Sequence, residues 1–135
     1  MSRYLIVAHQ TAESPELLQA VRAIVTRDTQ ARFVLLVPAT RIEHLGVWFE
    51  GEAEEVAMMA GERARALWKA YGVTIEEVRV GDANPAYAVK DCLDEEDFDQ
   101  VVVSTLAIGV SRWVKLDVVS QLRRSIDVQV THVQG

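Results

Sequence analysis

Five short apolar runs, rich in β-branched residues, alternate with segments of helical periodicity, and this alternation limits the chain more than any other feature. The runs are Arg3 to Ala8, Arg32 to Val37, Val73 to Val80, Gln100 to Thr105 and Val128 to Val133. Short continuous apolar runs read as strands buried on both faces. Strands that alternate with helices build a parallel sheet covered on both sides and joined by right-handed crossovers. The expectation is a single α/β domain over residues 1–135, three layers deep, Rossmann-like, with a five-stranded parallel sheet of order 3-2-1-4-5. The connections then reverse direction between strands 1 and 4, and ligands of such sheets bind outside the carboxyl ends of the strands at that point.

The helical segments carry recognisable ends. Ser14-Pro15-Glu16 reads as N-cap, first helical position and first-turn acid. Leu17, Leu18, Val21, Ile24 and Val25 then share a face. Pro38 stops the second strand, since proline cannot donate to a sheet ladder. Residues 38 to 51 form a long connection with His44, Trp48 and Phe49, of a length that is often functional or mobile. Glu52 to Tyr71 is an alanine-rich helix with Val56, Met59, Ala60, Leu67 and Ala70 near one face, stopped by Gly72. The imperfect alternation of Val73 to Val80 suggests an edge strand. Gly81-Asp82-Ala83-Asn84-Pro85 is a turn ending in another N-cap and proline. Ala86, Val89, Cys92 and Leu93 form the apolar face of the third helix, and a last helix runs to about Ser125.

Composition excludes several classes. The net charge of −6 gives no long-range attraction to nucleic acid or an anionic membrane. Cys92 is the single cysteine, so no internal disulfide forms. The opening apolar run is too short for a signal peptide, and no stretch approaches the ~20 apolar residues of a membrane span. A cytoplasmic protein is the expectation.

Familiar catalytic signatures are missing. The loop after strand 1, His9-Gln10-Thr11-Ala12-Glu13-Ser14, holds no glycine for a dinucleotide fingerprint, and no Gly-Lys-Ser/Thr phosphate loop occurs. Strand 1 ends without the carboxylate that a magnesium-binding receiver needs. Gly109-Val-Ser111-Arg-Trp113 is half of a nucleophile elbow, with tryptophan where the second glycine belongs. His9, His44 and His132 lack metal-ligand spacing. Cys92 reads as an inert core thiol. The acidic run Asp91, Asp94, Glu95, Glu96, Asp97 and Asp99 reads as a solvated helix end.

What remains is a crevice at the ends of strands 1 and 4. Its expected lining is His9, Gln10, Val37, Pro38, Ser104, Thr105, Gly109, Ser111 and Arg112. Val37 and Pro38 supply apolar contact. Hydroxyls, loop amides and Arg112 suit a small anionic ligand. The competing reading is a capped loop whose hydroxyls satisfy its own backbone. Asp117, ahead of Val118-Val-Ser-Gln-Leu, is a good N-cap candidate, and its carboxylate would take the amides that a phosphate otherwise uses.

Leu5-Ile-Val-Ala-His9, the long second helix, the Gly81 to Pro85 turn, the Asp99 to Ser104 strand and Val128 to Val133 together resemble the universal stress protein family over almost the whole chain. The resemblance implies a five-stranded α/β fold, dimerisation, and membership of one of two branches, ATP-binding or not. The ATP-binding branch carries Gly-x-x-Gly, nine residues, then Gly-Ser/Thr; here Ser104, Ala107 and the pair Asp117-Val118 stand at those places. His9 or Gln10 stands where that family has an aspartate. The resemblance therefore implies a divergent branch: a non-catalytic stress-type regulatory or small-ligand-binding protein, with weak or absent ATP binding and no cofactor. The alternative is an enzyme of the hydrolase or transferase kind that binds ATP, another adenine nucleotide or a phosphate in the same crevice. The strand Val128 to Val133 would lie at a sheet edge, a template for antiparallel pairing in a homodimer.

Overall fold

The computed structural model describes residues 2–39, 52–106 and 117–134. In chain order its elements are β1 (Arg3–Val7), α1 (Pro15–Arg27), β2 (Arg32–Pro38), α2 (Glu52–Ala70), β3 (Ile75–Gly81), α3 (Pro85–Glu95), β4 (Gln100–Thr105), α4 (Val118–Ser125) and β5 (Gln129–Gln134). The strands form one parallel sheet of order β3-β2-β1-β4-β5, as the alternation requires. β3 and β5 are the edges.

Side chains of each strand alternate between two cores. Tyr4, Ile6 and Ala8 join Phe33, Leu35, Val37 and Val102 under α1 and α2. Leu5 and Val7 join Val34, Leu36, Val101 and Val103 under α3 and α4. β1 is buried on both faces, which is why its sequence is apolar without alternation.

Local signals set most boundaries. Ser14 Oγ accepts the Leu17 amide at 3.1 Å, and Asn84 Oδ1 accepts the Ala86 amide at 3.0 Å. Gly72 sits at φ 83, where a side chain would be strained, and lets the Val73 amide donate to the Trp68 carbonyl at 3.0 Å. That closure uses Val73, so β3 begins at Ile75 rather than Val73. β2 likewise runs through Pro38 instead of stopping before it. Pro38 pairs with Gly81, and the next amide, Ala39, donates to the Gly81 carbonyl at 2.9 Å. A strand-final proline forfeits only its own amide.

The buried face of α2 overlaps the expected one in part. Ala60 is buried and Leu67 packs against the core, but the face is centred on Ala57, Ala64 and Trp68, while Met59 is 59% exposed and Ala70 is exposed. Small residues bring the helix close. A Cβ on Gly61 would collide with Val78 and stand 3.2 Å from Val37 Cγ2. The wide apolar side chains were the misleading signal; close approach to a sheet favours the small ones.

The acidic run after α3 is also more than a solvated end. Glu96 pairs with Arg3 at 2.6 Å and with Arg79, and the Asp99 carboxylate accepts the Arg3 amide at 2.7 Å. Arg3 and then Arg79 hold the Glu96 carboxyl below its usual range. This network ties α3 to the amino ends of β1 and β4. Cys92 packs in the core beneath it, its thiol pushed up by burial. Among the described residues, no helix is long and apolar enough to cross a membrane.

Trp68 is fully buried, and its indole Nε1–H donates to the Ala12 carbonyl at 3.1 Å. It fastens the loop after β1 to α2. Trp68→Phe strands that carbonyl in the core and is expected to cost about 1–3 kcal/mol. Urea unfolding reads it as a lower midpoint at unchanged slope.

Candidate functional site

The chain reverses direction at the carboxyl ends of β1 and β4. From β1 it moves through α1 towards β2, while β4 connects the opposite way to β5. The chain therefore leaves the two central strands towards opposite edges of the sheet, and ligands of such sheets bind above that point.

One wall is the turn after β1. The Ala12 amide donates to the His9 carbonyl at 3.2 Å, and the Ser14 amide donates to the Thr11 carbonyl at 2.9 Å, which leads directly into the capped α1. α2 holds this turn from outside through Trp68 and through Arg63, whose Nε lies 2.9 Å from Glu13 Oε1. The turn is thus fixed on two sides. His9 is buried, 7% exposed, and its Nε2 has no hydrogen-bond partner. Gln10 beside it is exposed.

The other wall is the end of β4, where successive residues face opposite sides of the sheet. Ser104 Oγ lies 2.5 Å from Thr11 Oγ1, both side chains buried. Thr105 Oγ1 lies 2.7 Å from Nε2 of His132 on β5. The two hydroxyls expected to act together are divided by the sheet and engaged with different partners. Thr11 escaped the sequence reading. A threonine two residues past a histidine carries no motif, and only the adjacency of β1 and β4 brings it to Ser104.

Val37 is wholly buried beneath α2, and Pro38 is buried in its pairing with Gly81. Their contribution is to the floor and the sheet rather than to an open surface. Gly109, Ser111 and Arg112 lie outside the described residues, as do His44, Trp48 and Phe49.

Asp117 corrects an expectation. It stands at the N-cap position of α4 with φ 55 and ψ 42, and its side chain makes no capping hydrogen bond. Capping carboxylates need an extended backbone, as at Ser14 (φ −68, ψ 145). In the left-handed conformation the Asp117 carboxylate forms no capping hydrogen bond with the first amides of α4.

Both histidines titrate below the ordinary value, each chiefly because burial penalises the charged ring. Arg63 adds to the effect at His9 and Arg123 at His132, while a hydrogen bond from the His9 ring to its own backbone opposes it. Both rings are neutral near pH 7. Among the described residues, no three His, Cys, Asp or Glu side chains are placed to hold a metal ion. A separate groove of about 720 Å³, lined by Leu18, Arg22 and Tyr71 among others, lies along the outer side of α1, away from the strand ends.

No protein-family model matches the sequence, and no curated protein matches it. Solved structures do. A universal stress protein from Archaeoglobus fulgidus superposes with a TM-score of 0.65 at 16% identity, covering 98% of this chain and 93% of that one. The structure of the universal stress protein from Archaeoglobus fulgidus in complex with dAMP matches with a TM-score of 0.62 at 15% identity, over 98% and 97% of the two chains. A universal stress protein in complex with cAMP matches with a TM-score of 0.63 at 19% identity, over 98% and 96%. The chain has the universal stress protein fold.

The histidines impose a pH dependence. In the unfolded chain they take up protons near about pH 6.5, and in the folded chain only below that. Between those values the unfolded state binds more protons, so acid favours unfolding. Their contribution is complete above about pH 6.5 and is lost as pH falls through the folded values. Urea midpoints are expected to fall between about pH 7 and pH 5, with a shallower fall in His9→Phe. The loss from Glu96 belongs to a more acid window, below about pH 4.5, because its folded value is depressed.

Proposed function

We propose that this chain is a stress-type regulatory protein of the universal stress kind that binds a small adenine nucleotide in the crevice above β1 and β4, without catalysing its turnover. The observation that carries the reading is the fold shared with proteins solved in complex with dAMP and cAMP, each a nucleotide with one phosphate. The buried polar groups His9, Thr11, Ser104 and Thr105 gather at the strand ends where ligands of such sheets bind.

Affinity for ATP is weak or absent in this proposal. The glycines of the ATP-binding branch are replaced by Ser104, Ala107 and Asp117. Asp117 places a carboxylate at the head of α4, where a polyphosphate would meet its charge. A single phosphate meets less repulsion. Titration calorimetry tests this. AMP or cyclic AMP is expected to bind at least tenfold more tightly than ATP with magnesium, and low-micromolar ATP binding would reverse the preference.

An enzymatic alternative draws on one pair. The Thr105 hydroxyl hydrogen-bonds the neutral His132 imidazole, the relation of a nucleophile to a base. Thr105 is only 2% exposed, which favours a structural hydrogen bond. Product release during the same titrations would favour the enzyme.

The protein works as a homodimer in this reading, through antiparallel pairing of β5 with a second copy. Among the described residues β5 is an edge strand, paired in the sheet with β4. Sedimentation velocity is expected to give a dimer at micromolar concentration; a monomer at high concentration would remove this part of the proposal.

A further inference from the structure

The groove along α1 is built from two segments. On α1 its lining recurs at helical spacing, with Pro15, Leu18, Arg22 and Val25 in one row. At a rise of about 1.5 Å per residue, that row is about 15 Å long. The other wall is Tyr71, Gly72 and Val73, where α2 passes into β3. Gly72 has no side chain, and nothing lies within 4 Å of where a Cβ would stand, so the groove is open above it. Its volume of about 720 Å³ is that of a small-molecule site.

The floor is aliphatic. Leu18 and Val25 are partly buried and pack on the core beneath α1, and Val73 is 1% exposed. An edge of the core therefore borders the groove, and covering such surface is favourable.

The charge at the groove has one sign. The chain has 20 acidic and 14 basic residues, yet among the described residues lining the groove there is no acid, and Arg22 supplies the charge. Arg3, Arg32, Arg63, Arg65 and Arg79 each pair with a glutamate. Among the described residues Arg22 pairs with no carboxylate. Its guanidinium lies over the Tyr71 ring instead, 5.5 Å from the centroid. A ring contact holds a guanidinium in place without using its N–H donors as a carboxylate does. Gln19 lines the groove one turn before Arg22 and carries a second set of N–H donors.

We propose that this groove binds an amphiphilic organic acid with a medium-length acyl chain. Arg22 takes the carboxylate, and the chain lies along Leu18, Val25 and Val73. A bare anion would leave the aliphatic floor uncovered, and a neutral chain would leave the guanidinium unpaired. An aromatic acid fits less well, because the floor is aliphatic and the Tyr71 ring is already engaged by Arg22. The site stands apart from the strand ends, so it holds whether or not a nucleotide binds there.

Amide NMR titration at neutral pH tests this with four probes: octanoate, octanol (the chain without the charge), acetate (the charge without the chain) and benzoate. Octanoate is expected to saturate, to shift the amides of Leu18, Arg22, Val25, Gly72 and Val73, and to bind at least about tenfold more tightly than each of the other three. Arg22→Gln is expected to bring octanoate down to the affinity of octanol and to leave octanol unchanged, while Arg22→Lys restores part of the difference. Ala23 lines the groove at an exposed position, and Ala23→Trp fills the space and is expected to weaken both octanoate and octanol about tenfold.

Shifts that map elsewhere on the protein, or octanoate binding no more tightly than octanol or acetate, overturn the proposal. Benzoate binding more tightly than octanoate overturns the acyl chain as occupant. Octanoate affinity that survives in both Arg22→Gln and Ala23→Trp removes the groove as the site. The mapping and the comparison of probes use the unaltered protein, so they decide the matter whatever the variants do.

Discussion

Burial of β1 on both faces, at the centre of a parallel sheet, is the constraint on which the rest of the structure depends. β1 pairs with β2 on one side and β4 on the other, in register from its first residues. The chain can leave its two neighbours only in opposite directions, because right-handed crossovers place α1 and α2 on one face and α3 and α4 on the other. The crevice is therefore a consequence of topology. Residues at its mouth need not stabilise the sheet, and polar side chains are tolerated there.

How those polar groups are arranged depends on the two-residue period of a strand. Ser104 and Thr105 are adjacent in sequence and face opposite sides, so one meets Thr11 and the other His132. Each is satisfied within the protein. His9 is the contrast: buried like its neighbours, held as firmly, and without a partner for Nε2. Within one small group of polar residues, the pairing is therefore uneven.

At the opposite end of the sheet, charge does what apolar packing does elsewhere. Arg3 stacks over Phe98, 4.7 Å from the ring centroid, while it shares Glu96 with Arg79. Arg79 also meets Glu77 at 2.9 Å. These groups are partly exposed, and exposed ion pairs stabilise little on their own. Their effect is positional: they anchor the end of α3 against the start of β1, at the end of the sheet remote from the crevice.

The five strands, their order, and the capped starts of α1 and α3 were legible in the sequence, because each depends on local chemistry: an apolar run, a serine or asparagine before proline, a glycine after a helix. The universal stress protein fold was legible too, through the order of those elements. Contacts between distant residues were not. Nothing local distinguishes the Ala57, Ala60, Ala64 and Trp68 stripe from the Met59 side of α2; the depth of the sheet beneath decides. Nothing local puts Asp117 in the left-handed conformation without a capping bond, and nothing local joins Thr11 to Ser104 across 93 positions. Sequence alone determined which segments are strands and where a crevice must open, since periodicity and turn chemistry act over a few residues. Only the tertiary structure decided which polar atoms are paired there and which one is left unpaired, since pairing depends on side chains that meet through folding and not through neighbourhood along the chain.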